Sequence, residues 1–174
     1  MVPEHQTITN LHDLLKHDVC RFTAAEVLLK DNLPEWINRA GSLQLKTVLQ
    51  KYLDFVILHI QKAEEFLRKE QVTFPGTGNR VMQAFVEETG EILNACTDGE
   101  VRDACLLASI QEINHFKISV YGTAAAFANT LEMPGYAALF HEAEVNEKQI
   151  DDRLSQLAEF EINRRAKTPI VLPG

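Results

Sequence analysis

The sequence lacks any surplus of basic residues: 17 Lys and Arg stand against 25 Asp and Glu, for a formal net charge of -8. Proteins that neutralise phosphates need a basic excess, so the balance argues against nucleic acid as the main partner. The sequence also lacks an apolar run approaching the ~20 residues of a bilayer-spanning helix, so no membrane partner is expected. The opening Met1-Val-Pro-Glu-His-Gln has neither the basic end nor the apolar stretch of a secretory signal. Cysteine is scarce and odd in number: Cys20, Cys96 and Cys105 show no CxxC spacing, which argues against a disulfide framework or a thiolate zinc site. The three are read as small buried hydrophobes in a soluble protein of the reducing cytoplasm.

Proline and glycine are few, six and eight among 174 residues, so breaks between elements are sparse. That length suits one domain with a continuous core. The expectation is a single domain over residues 1–174, a bundle over about 10–165 and an apolar tail over 166–174. No alternation of period two and no internal repeat is present. Helical patterns instead run from Thr9 or Asn10, either able to cap, to about Ala40, and from about Ser42 to Glu70. A shorter one spans about Arg80 to Ala95, and two long ones span about Glu100 to Leu131 and Tyr136 to Arg164. Pro34 falls inside the first and is expected to kink or interrupt it, because proline removes a backbone donor. Gly41-Ser42 and Met133-Pro-Gly135 are tight breaks, and the main loop, Val72 to Asn79, contains Pro75-Gly-Thr-Gly. Four long helices with one long connection predict an all-α fold, a ferritin-like four-helix bundle whose crossover carries the short extra helix.

Steps of three and four residues pick out the buried face of each long helix. The first seam reads Leu15, Val19, Phe22, Glu26, Leu29, Leu33, Trp36, and the second Leu45, Leu49, Tyr52, Val56, His59, Ala63, Phe66. The third reads Leu107, Ile110, Asn114, Lys117, Tyr121, Ala124, and the fourth Leu139, Ala143, Asn146, Ile150, Leu154, Leu157. Every seam carries polar residues near its middle. A buried unpaired charge is costly, so Glu26 and Lys117 must find partners or bend toward solvent, as a snorkelling lysine does. Intrusion at matching heights on all four helices favours one shared polar cluster of Glu26, Tyr52, Asn114, Lys117 and Asn146.

The segment Glu100-Val-Arg-Asp-Ala-Cys, followed by Gln111-Glu-Ile-Asn-His115-Phe-Lys-Ile-Ser-Val-Tyr-Gly-Thr123, resembles the YciE/YciF-type ferritin-like proteins of bacteria. Leu11-His-Asp-Leu, Ala25-Glu26, and Glu147-Lys148 with Asp151 and Leu154 support the resemblance, which covers roughly residues 10 to 165. It implies a link to stress physiology, association as a homodimer, and a di-metal centre of carboxylates and histidines. The family's helix-three pattern is Glu-His-Tyr-Glu, whereas this chain reads Asn114-His115-Phe116-Lys117. The second helix reads Tyr52-Leu-Asp54-Phe-Val56 where a histidine followed by acids is usual. The fourth reads Val145-Asn146-Glu147-Lys148 where a run of acids is usual. Glu26, Asp54, His115 and Glu147 are the donors that remain.

Two divalent ions need several carboxylates, and a protonated lysine offers no lone pair. The expectation is therefore a centre without cofactor, with Glu26 and Lys117 ion-paired, and a non-catalytic structural or binding protein. The alternative is an iron or manganese oxidase or peroxide-handling protein with an altered site. Glu112-x-x-His115 has di-metal spacing, but Glu112 lies off its seam. The Pro75-Gly-Thr-Gly loop lacks the GK[ST] of a phosphate cradle, and His141, Glu142 and Glu144 form a solvated face. An apolar ligand within the bundle is a third reading, with no motif behind it.

Overall fold

The computed structural model describes residues 7–73 and 78–167. The expected tail beyond residue 167, part of the Pro75-Gly-Thr-Gly loop and the first six residues lie outside the described ones. The helices are α1 (Leu11–Arg39), α2 (Leu43–Lys69), α3 (Arg80–Ala95), α4 (Gly99–Thr130) and α5 (Pro134–Leu157). A π-helical turn, Ala158–Ile162, continues α5 into the short α6 (Asn163–Ala166). No strand occurs among the described residues.

Each helix start has a local cause. Asn10, Ser42, Asn79 and Asp98 accept hydrogen bonds from the first-turn amides of α1 to α4, relieving donors that helix ends leave unpaired. Pro134 opens α5, where its missing N–H costs nothing. The α2 and α4 ends close with Gln71 at φ 54° and Glu132 at φ 56°, so that Val72 donates to the Leu67 carbonyl and Met133 to that of Ala128. Pro34 neither breaks nor ends α1, which continues to Arg39. Its ring lies on the exposed face, where water can take the carbonyl that the ring leaves without a donor.

α1 pairs with α2 and α4 with α5 as hairpins, and α2 against α5 and α1 against α4 close the bundle. One end of the core packs Leu15, Val19 and Phe22 of α1 with Phe66 of α2, Tyr121 and Ala128 of α4, and Phe140 of α5. The other packs Leu29, Leu33 and Trp36 with Leu45, Leu49, Leu107, Ile110, Ile150 and Leu154. These groupings make all neighbouring helices antiparallel. The chain from α2 to α4 must therefore return along the bundle's length, and α3 makes that return against the side of α1 and α4. Met82 and Leu93 of α3 are buried against the aliphatic end, and the Asn79 side chain donates to the Arg21 carbonyl.

The α1–α2 turn is held from α4. The buried Asp103 carboxylate accepts from the backbone amides of Gly41 and Ser42, both at 2.8 Å. A Cβ at Gly41 would lie 3.3 Å from the same carboxylate, so a side chain there would crowd the acceptor.

The first three seams are buried at every position assigned from the sequence. The fourth is not. Ala143, Ile150 and Leu154 are buried, but Leu139, Asn146 and Leu157 are only half-buried, and Phe140 and Glu147 take the inner positions. A step of four residues after Ala143, rather than three, turns Glu147 inward. Ile150 stands on both versions of the seam and is 1% exposed. Replacing it with Asp should cost about 3–5 kcal/mol, the scale for an unpaired charge in a core, and Leu139→Asp distinctly less. Urea denaturation of the two variants measures the difference.

Candidate functional site: a polar layer at the bundle centre

Between the aromatic and aliphatic ends of the core lies a layer of buried polar groups. Lys117 of α4 is central to it. Its Nζ is 3.0 Å from Glu26 Oε2 on α1 and 2.6 Å from Glu147 Oε1 on α5. The three side chains are at most 3% exposed. The ammonium also sits over the Tyr52 ring, 4.5 Å from its centroid, an attraction for the face of an aromatic quadrupole.

The remaining carboxylate oxygens are also met. Tyr52 donates to Glu147 Oε2 at 2.9 Å, and Asn114 Nδ2 donates to the same oxygen at 2.7 Å and to the Glu147 carbonyl at 3.0 Å. Tyr121 donates a short hydrogen bond to Glu26 Oε1. His59 Nδ1 lies 3.4 Å from both Glu26 Oε1 and Glu147 Oε1, and its Nε2 is 3.3 Å from Asn146 Nδ2. That pairing of two nitrogens fits a neutral His59 accepting at Nε2 with Nδ1 protonated. An imidazolium needs the Asn146 amide turned to present its oxygen. With His59 protonated, two carboxylates balance two cations and the layer is neutral.

These contacts set the protonation behaviour of the layer. Burial pushes the Glu26 carboxyl up, but the Lys117 charge, with help from His59 and Tyr121, outweighs it and holds the group below its ordinary value. Burial disfavours a charged His59, yet the carboxylates of Glu147 and Glu26 together raise it above its ordinary value. Tyr52 and Tyr121 are driven far up, first by burial and then by the neighbouring acids, so both remain hydroxyl donors.

Glu26, Tyr52, Asn114 and Lys117, the residues expected from the sequence, meet in one layer, and Asn146 joins at its edge through His59. Of the metal-ligand alternative, Glu26 and Glu147 meet in the layer, whereas Asp54 and His115 do not. Asp54 is exposed on α2, and His115 is exposed on α4, 3.0 Å from Asp151. Both stand off the buried faces of their helices, since adjacent turns place Tyr52, Val56, Asn114 and Lys117 inward. Glu112 is likewise exposed. His59, Tyr121 and the inward turn of Glu147 were missing from the expected cluster. The available signal was a polar residue at a seam position, which His59 and Tyr121 both displayed.

Glu26, His59 and Glu147 each offer a ligand atom within 4.8 Å of the other two. That set does not fit a di-metal centre. Two divalent ions bring four positive charges against two carboxylates, and the Lys117 ammonium already lies on both.

A single-crossover four-helix bundle with a lysine-centred ionic layer is the class of protein that fold and site define. The chain belongs to the family described as Domain of unknown function (DUF892), whose model matches residues 10–167. It is 36% identical over 158 residues to Protein YciF of Escherichia coli strain K12, covering 90% of this chain and 95% of that one. The crystal structure of the E. coli stress protein YciF superposes with a TM-score of 0.84 and 25% identity, over 90% of this chain and 99% of that chain. YcfI from Rhodopseudomonas palustris superposes with a TM-score of 0.82 and 24% identity, over 87% and 96%. No helix among the described residues is long and apolar enough to cross a membrane.

Two measurements test the layer. Lys117→Met leaves two carboxylates facing one histidine and should cost roughly 3–5 kcal/mol, whereas Glu26→Gln leaves Lys117 still paired with Glu147 and should cost less. The double variant should show a coupling of about 1–3 kcal/mol; additive effects would contradict a direct interaction.

The pH dependence has a defined sign. Stability from charged His59 is complete below its unfolded value of 6.5 and is lost as pH rises through the higher folded value. Stability from Glu26 is complete above its unfolded value of 4.5 and is lost as pH falls through the lower folded value. The layer should therefore stabilise most between those values. His59→Gln should remove its part of the alkaline decline, read from urea midpoints across that range and above.

Proposed function

We propose that the chain is a ferritin-like protein without catalytic activity that serves a stress-related structural or binding role. In this reading the bundle centre is a lysine-clamped ion-pair cluster, standing where ferritin-like relatives hold two metal ions. The observation that carries the reading is the Lys117 ammonium within 3.0 Å of Glu26 and 2.6 Å of Glu147. A cation bound to both acids neutralises the groups a metal would need and supplies no lone pair. The stress connection comes from the E. coli relative described as a stress protein. The same reading includes a cytoplasmic location, association as a homodimer, and neither nucleic acid nor membrane as partner.

The rival reading is a metal-dependent oxidase or peroxide-handling protein. One observation favours it, the convergence of Glu26, His59 and Glu147 within 4.8 Å. Elemental analysis separates the two readings after expression with iron and manganese supplied and purification without chelators. The proposal expects less than about a tenth of an ion per chain, and a reproducible one or two would overturn it. Lys117→Glu restores negative charge at the centre and should gain metal uptake that the parent lacks.

A further inference from the structure

Far from the polar layer, at the junction of α3 and α4, two of the three cysteines meet. The Cys96 and Cys105 sulfurs are 3.3 Å apart. Cys96 is the residue that ends α3, its amide donating to the Ile92 carbonyl, and Cys105 lies early in α4. Neither is fully buried. Their proximity is built by the fold rather than by adjacency in sequence, with nine positions separating them across a helix–turn–helix corner. Two features hold that corner: Asp98 caps α4 by accepting from Glu100 and Val101, and Arg102 Nη2 donates to the Cys96 carbonyl at 3.1 Å. A disulfide needs sulfurs about 2.05 Å apart, so roughly 1.3 Å of approach separates this thiol pair from a bond. Cys96 is followed by a short segment outside either helix, which leaves local freedom for that adjustment.

We propose that Cys96 and Cys105 are a redox-active dithiol that hydroperoxides oxidise to an intramolecular disulfide. Burial, then the neighbouring Cys96, pushes the Cys105 thiol up to about 11, so Cys105 is the partner that keeps its proton at neutral pH. Cys96, at the end of α3 beside the short segment outside either helix, is the thiol assigned the first step. Its thiolate attacks one oxygen of the peroxide; the O–O bond breaks, water or an alcohol leaves after protonation, and Cys96 becomes a sulfenic acid. The Cys105 sulfur then attacks the Cys96 sulfur and breaks the S–O bond. The departing hydroxide takes up the Cys105 proton as water. Two thiols lose two electrons and one peroxide gains them.

The product would fasten the C-terminal end of α3 to α4. α3 is the crossover helix and covers the aliphatic end of the core through Met82 and Leu93, so the bond would lock that cover in place. Cys20 is buried within the aromatic end of the core, apart from this corner, and serves as an internal control.

The test uses the reduced full-length chain, treated with hydrogen peroxide and then denatured for thiol counting. Three titratable thiols should fall to one. Trypsin cuts after Arg80, Arg102 and Lys117, so Cys96 and Cys105 fall on the separate peptides 81–102 and 103–117. After oxidation these two peptides should travel as one disulfide-linked species, lighter by two hydrogens than their sum and released by reductant. Cys96→Ser and Cys105→Ser should each give no such linked species. Dimedone should trap the sulfenic acid on Cys96 in Cys105→Ser. Oxidised parent should unfold at a higher temperature than reduced parent, and Cys105→Ser should show no such rise. Three thiols surviving peroxide, or linkage found only between chains, would overturn the proposal.

Discussion

The Lys117 ammonium between the carboxylates of Glu26 and Glu147 is the constraint that the centre of this bundle is arranged around. Three ions at most 3% exposed have each given up several kcal/mol of hydration, which only close pairing can offset. Lys117 therefore has to stand level with two acids on two other helices. α2 then supplies the Tyr52 and His59 side chains that use the remaining oxygens. Apolar seams tolerate sliding far better than this layer does. Moving α4 by one turn would carry Lys117 about 5.4 Å along its axis and leave acids and ammonium buried without partners. The ionic layer thus fixes the relative height of all four helices.

The rest of the core is organised on either side of that layer. One end is built from aromatic contacts, with Phe22 set 5.1 Å from Tyr121 and 5.9 Å from Phe140 between ring centroids. Tyr121 joins this end to the polar centre, since its ring packs with Phe22 while its hydroxyl donates to Glu26. The other end is aliphatic and is completed from outside by α3. Asp103 acts at that end as a second polar anchor, binding two amides at the α1–α2 turn from the facing helix. Both anchors link segments distant in sequence, so each reports on assembly of the whole bundle rather than of one hairpin.

Membership of the DUF892 family and the close superposition on E. coli YciF place the backbone within a known framework. At the centre of that framework this chain places the Lys117 ammonium between Glu26 and Glu147. A bundle centre that receives acids and histidines from several helices suits cations generally, and a lysine side chain delivers one that is covalently attached. The geometry around Nζ, with carboxylates on two sides and an aromatic face on another, resembles the surroundings of a bound ion for that reason. The thiol corner at Cys96 and Cys105 is a separate feature, away from this centre, where the end of α3 meets the start of α4.

Sequence alone determined the helices, their approximate ends, the three seams on α1, α2 and α4, and the inward-facing positions of Glu26 and Lys117. Those follow from local rules: capping residues, sparse proline and glycine, and apolar spacing of three and four. The fourth seam was decided by tertiary contacts. Leu139 and Phe140, or Asn146 and Glu147, are adjacent residues that local hydrophobicity barely ranks, and Asn looks the cheaper one to bury. Glu147 faces inward because Lys117, Tyr52 and Asn114, from two other helices, are present to satisfy its carboxylate. The same limit hid the approach of Cys96 to Cys105, which depends on the turn angle between two helices. A residue's spacing states which face it occupies; only the packed bundle states which charges and sulfurs stand opposite it.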